Sequence, residues 1–167
     1  ELPTYTVRTD AAAALATANS HLIQIMAGAS LRVGIRRIQV WQSASAASTG
    51  NDQFQLLRLT TAGTGGTSIT PVTLDPADGA AGATAMTLPS SKGTEGGVIR
   101  YRHAVVHATD STIGLNPIID LDFTALARTK CLWIAAGTSN GIALKNLTSD
   151  ASASVRIEVT FVESAVA

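Results

Sequence analysis

Charge and aromatic surface are both scarce in this chain. Charged residues make up 14% of it, against roughly 25% in typical soluble domains. Twelve Lys and Arg balance twelve Asp and Glu. There is no net field to draw in nucleic acid or an anionic membrane, so neither is expected as a partner. A neutral, weakly charged surface is poorly protected against association, which suits a protein held inside an assembly. Phe, Trp and Tyr together supply only 4% of the residues, so the core must be aliphatic. The single Cys131 excludes an intrachain disulfide framework. It lies in the apolar run Cys131-Leu132-Trp133-Ile134, which predicts a buried, inert thiol and a core position for Trp133. No apolar run approaches the ~20 residues of a membrane span. Gly63-Thr64-Gly65-Gly66 lacks the Gly-Lys-Ser/Thr ending of a phosphate loop. No serine sits in a Gly-x-Ser-x-Gly elbow.

What is present is period-two alternation. From Val155 to Phe161, the residues Val155, Ile157, Val159 and Phe161 share one face, and Arg156, Glu158 and Thr160 share the other. That is the pattern of a half-buried strand. Leu31 to Trp41 alternates too, but its phase slips by one residue at Arg36-Arg37, as at a β-bulge. Phe54 to Thr60 carries a second slip at Leu56-Leu57. Thr4 to Arg8, His21 to Ala27, Ile69 to Leu74, Ala80 to Leu88, Val98 to His107 and Ile118 to Phe123 complete the set of strand candidates before the closing third of the chain. There, Ser139-Asn140-Gly141 between two apolar runs predicts a hairpin. Thr124 to Lys130 suits one helical turn. The Ala-rich stretch from Asp10 to Asn19 reads either as a helical turn capped by Asp10 or as an extended arm. About eight to ten strands and no long helix predict an all-β fold, an antiparallel sandwich in one domain over residues 1–167. Residues 1–19 could serve as an N-terminal arm.

Few residues offer chemistry. His103 and His107 share a strand face about 13 Å apart, too far to share a metal. They and His21 are expected to be partly exposed strand residues. Asp120 and Asp122 are same-face neighbours about 6.6 Å apart, a spacing compatible with a glycosidase pair or a calcium ligand set, although solvated strand carboxylates are far commoner. Asp75 and Asp78 read as turn residues around Pro76. Asn146-Leu147-Thr148 matches a glycosylation acceptor, a tripeptide common by chance. Arg32 and Arg36 share one strand face, and Arg100 and Arg102 another. They form either a charged outer face or a subunit contact with a neighbour's Asp120 or Asp122. Trp41 falls on the polar phase of its strand, which makes it an interface candidate. No catalytic residue, metal ligand or cofactor is expected.

The order of these segments also carries a likeness. An apolar strand is followed by the bulged strand Leu31 to Trp41, then Phe54 to Thr60, then Thr70-Pro71-Val72-Thr73-Leu74-Asp75-Pro76, the small-residue loop at Ala80 to Ala83, and the closing strand from Val155 to Glu163. In this the chain resembles the jelly-roll-like structural proteins of tailed bacteriophages, of the head-decoration or minor capsid kind. The resemblance implies a non-enzymatic sandwich that forms homo-oligomers, often trimers. It implies binding to the major capsid protein and to copies of itself, and a place on the capsid surface of the virion after synthesis in the host bacterial cytoplasm. Two other classes compete. A receptor- or glycan-binding module, such as a tail-fibre tip or adhesin, would need aromatic platforms, for which Trp41, Tyr5 and Tyr101 are available. An enzyme on the same scaffold would begin at Asp120 and Asp122.

Overall fold

The computed structural model describes residues 2–45, 50–106, 117–124 and 131–165. Two antiparallel sheets carry them, and none of the described residues is helical. The first sheet is built on β1 (Thr4–Arg8), β4 (Leu31–Ser45) and β13 (Ala153–Ala165), with β10 (Ile119–Asp122) and β7 (Val72–Thr73) at its edges. Two short segments join it: β2 (Ala13–Ala14) beside β13, and β11 (Leu132–Ile134) beside β4. The second sheet runs from β6 (Thr67–Ile69) through β8 (Thr84–Thr87), β3 (His21–Met26), β12 (Gly141–Asn146) and β5 (Gly50–Leu59) to β9 (Glu95–Val106).

Eight of these segments are principal strands: β1, β3, β4, β5, β9, β10 (continued by β11), β12 and β13. Numbered in that order, the first, eighth, third and sixth lie side by side in one sheet, and the second, seventh, fourth and fifth in the other. This interleaving of two Greek keys is the jelly roll. The remaining short strands come largely from one insertion between β5 and β9.

The inner faces make the core. Val155, Ile157, Val159 and Phe161 of β13 lie against Val33, Ile35, Ile38 and Val40 of β4, all at most 1% exposed. Ile23, Ile25, Phe54, Leu56, Ile142 and Leu144 face them from the second sheet. Each such burial contributes about 1.5–3 kcal/mol. Tyr5 stacks on Phe161 at 5.4 Å and donates its hydroxyl to the Gly79 carbonyl. The bulge expected at Arg36-Arg37 is present. Arg37 pairs with Thr160 and Ile35 with Phe161, so Arg36 is the extra residue and both flanks keep their apolar face inward. The second slip also lies where expected, at Leu56/Leu57.

The segment after Asp10 is extended rather than helical. Ala13 and Ala14 pair with β13, and Leu15 is fully buried. Thr4–Arg8, also within the stretch read as an arm, pairs with β13, and its Tyr5 and Thr6 pair with β7. The Asn140-Gly141 hairpin is not formed. β11 pairs with β4 and β12 with β3 and β5, so the turn carries the chain from one sheet to the other. Gly141 is required there by close approach, since a Cβ would meet the Met26 sulfur and lie 2.6 Å from the Ile25 carbonyl. His107 and the helical turn expected after Thr124 fall outside the described residues.

Candidate interaction face

The two sheets differ on their outer sides. On the second sheet, Gln24, Leu57 and Ala143 point away from the core yet are at most 3% exposed. Residues 60–66 and 88–95 fold back here as a flap, joined to each other by backbone hydrogen bonds between Thr64 and Ser91. The Gln24 side chain holds it by donating to the Gly63 carbonyl at 3.2 Å and accepting from the Gly63 N–H at 2.9 Å.

Beneath the flap sits a charged cluster. A register shift at Leu144/Lys145 pairs His21 with Lys145 and turns the imidazole outward, where it is 0% exposed. This corrects the expectation of a partly exposed His21; His103 is exposed as expected. His21 Nε2 lies 3.1 Å from Glu95 Oε1, Lys145 Nζ donates to Glu95 Oε2 at 2.9 Å, and Lys92 Nζ is 3.4 Å from Oε1. Burial holds His21 below its ordinary value against the opposing pull of Glu95. Burial pushes Glu95 up, but hydrogen bonds from Lys145 and His21 outweigh it and hold the carboxyl below the usual range. Both folded-state values are depressed. Their stabilisation is therefore complete above the ordinary histidine value near 6.5 and is lost as pH falls through it and on through the carboxylate range. Urea unfolding of the native chain should weaken from pH 7 to pH 5. His21→Asn should flatten that limb; equal slopes in the two proteins would remove His21 as its source.

The outer side of the first sheet is different. Arg37, Gln39 and Trp41 of β4, Arg156, Glu158 and Thr160 of β13, and Thr6 and Arg8 of β1 are all half-buried or exposed. Among the described residues no second layer covers them. Arg37 and Asp120 form a two-pronged ion pair, Nε to Oδ1 at 2.9 Å and Nη2 to Oδ2 at 2.5 Å. The Arg37 guanidinium holds the Asp120 carboxyl below the usual range. Asp122 accepts from both the N–H and the hydroxyl of Thr124 at 2.7 Å, closing the turn after β10.

Most arginines singled out in the sequence act within the chain. Arg32 lies over the Trp133 ring, 4.3 Å from its centre. Trp133 itself is half-buried on the outer face above Gly34, not in the core, because Ile134 takes the inward position. Cys131 is likewise half-buried rather than buried. Arg36 occupies the bulge, half-buried, its Nε without a hydrogen-bond partner among the described residues. Arg100 lies over Phe123 at 5.8 Å, and Arg102 donates to the Tyr101 carbonyl. Asp75 accepts from the Ala77 N–H, as a turn residue should. Asn146 is 0% exposed, which closes it to glycosylation in the folded chain.

Trp41 is the singled-out residue left on the bare face. Its cross-strand partner is Arg156, and Arg8 pairs with the adjoining Glu158. Trp41, Arg156, Arg8, Ile157 and Glu158 line a shallow hollow of about 220 Å³. Arg8 and Arg156 were missed in sequence; both stand on the polar phase of their strands, but only the register brings them to Trp41. Among the described residues no group of three or more metal-ligating side chains clusters. No helix among them is long and apolar enough to cross a membrane. No protein-family model matches the chain, and no curated protein matches it.

Proposed function

We propose that the protein is a non-enzymatic structural component of a virion, a capsid decoration protein that stabilises the head lattice through contacts with the capsid protein and with copies of itself. One observation carries the reading: the molecule covers one of its sheets with its own flap, while among the described residues nothing covers the other, which presents Trp41, Arg8, Arg37 and Arg156. Trp and Arg are the side chains that dominate protein–protein contacts. An open sheet face engages a lattice through many weak points, which repetition multiplies. The jelly roll is compatible with this role but does not select it, since lectin domains and cupins share the architecture. The glycan-binding alternative loses one of its three aromatics, because Tyr5 is 3% exposed and stacked in the core.

The test is cosedimentation of the purified chain with heads of the virus encoded beside it, together with its native mass. Saturable binding in fixed ratio to the capsid protein is expected, with an oligomeric mass. A monomer that stays in the supernatant and gives specific hits on a glycan array would replace the proposal with the receptor-binding one.

A further inference from the structure

We propose that the Trp41 hollow is a docking site for an acidic segment of another protein, with an apolar side chain entering beside the indole and carboxylates meeting Arg8 and Arg156. This deepens the reading of the bare face as a contact surface and rests on it.

Three observations lead there. The first is unused binding capacity. Arg8 and Arg156 are exposed, and neither side chain has a hydrogen bond or ion pair among the described residues. Elsewhere on the same face the charges are already spent. Asp120 and Asp122 both act on Arg37, and Asp120 grips it directly. The second is shape. The hollow pairs the Trp41 ring with two guanidiniums and a single carboxylate, Glu158. Its local charge therefore favours an anionic visitor. Planar guanidiniums at fixed strand positions match carboxylates bidentately. The third is continuity. Arg8 and Glu158 also line a neighbouring hollow of about 520 Å³ whose far wall carries Val72 and Leu74, 61% and 59% exposed. Asp10 also lines that second hollow, two residues beyond Arg8 on the same chain segment. From Trp41 to Val72 the path crosses three strand spacings and about four residues of rise, roughly 20 Å, or about six residues of extended chain. A short extended segment spans that distance.

The chain holds two tryptophans, so an amide-correlation NMR spectrum shows two indole N–H signals. The probe is the blocked hexapeptide Asp-Asp-Leu-Phe-Asp-Asp, with the same peptide carrying Asn for Asp as control. The Trp41 signal should move saturably with the acidic peptide, with half-saturation on the order of millimolar for so small a contact. The control peptide should leave it in place, and the Trp133 signal should stay still with both. The double variant Arg8→Ala/Arg156→Ala should bind about fivefold more weakly or worse. Both residues are exposed, and an unmoved Trp133 signal reports an intact fold. Equal responses to the two peptides, no response at all, or full binding by the double variant would overturn the proposal. So would a Trp41 shift that appears on raising protein concentration alone, which would assign the hollow to a second copy. Peptide binding without head binding would leave this site standing and remove the virion reading; the reverse would remove only the site.

Discussion

Asn146→Ala should lower the unfolding free energy by about 3 kcal/mol. Asn146 sits at the end of β12 with 0% exposure, at the junction of three chain segments. Its Nδ2 donates to the carbonyls of Thr17 and Thr148, both at 2.9 Å, and its Oδ1 accepts from the Ser20 hydroxyl at 2.6 Å. Alanine removes both donors, and a buried carbonyl without a partner costs more than the net value of the bond it loses. The Ser20 hydroxyl can turn to Thr17, which lies 2.9 Å away. The Thr148 carbonyl has no such replacement among the described residues. Amide exchange should show where the loss falls. The Leu15 N–H, bonded to the Ala153 carbonyl, should lose protection before the centre of β13 does. A loss of stability under about 1 kcal/mol would show that water or neighbouring groups take over the role of Asn146.

The flap offers the second large effect. Gly93→Ala should cost about 2–3 kcal/mol and uncover the outer side of the second sheet. A Cβ at position 93 would run into the Thr61 carbonyl and lie 2.9 Å from the Gly63 nitrogen, both of them backbone. The two strips of the flap would have to separate. The bonds between Thr60, Thr61 and Thr94, and the Gln24–Gly63 pair, would stretch with them. Met26, Leu57, Leu59 and Ala143 form an apolar cluster of their own on that outer side. Its exposure should appear as binding of a hydrophobic dye well below the unfolding midpoint, with the near-ultraviolet signal of the core retained. Dye binding no greater than in the native chain would mean that the flap does not seal this cluster.

These elements also explain what was readable from residues alone. β13 and β4 read clearly because each has one dry side and one wet side, so the period of two survives; even the bulge at Arg36 shows as a phase slip. β3 and β12 show no alternation because both of their sides are buried, one by the core and one by the flap. A flap made of Gly, Thr and Ser gives no local sign that it will lie over a sheet. Asn140-Gly141 misled for a related reason. The glycine answers to the Ile25 backbone across the sheet rather than to a tight turn. The arginines divide in the same way. Their strand faces were legible, but whether a guanidinium meets a ring (Arg32), a carboxylate (Arg37) or nothing in the described chain (Arg8, Arg156) depends on strand register between distant segments. Trp41 was legible as an outlier of phase, because an indole on the polar side of a strand is conspicuous wherever its neighbours lie.

Oxidative footprinting of the free and the assembled protein tests the division between a covered and a bare sheet most directly. Trp41 marks the bare face, and Tyr101, 58% exposed on the edge strand of the covered sheet, marks the other side. Hydroxyl radicals should modify both in the free chain. In the assembly Trp41 should be protected and Tyr101 should stay reactive. Protection of Tyr101 with Trp41 still open to attack would place the contact on the wrong sheet and contradict the role given to the bare face.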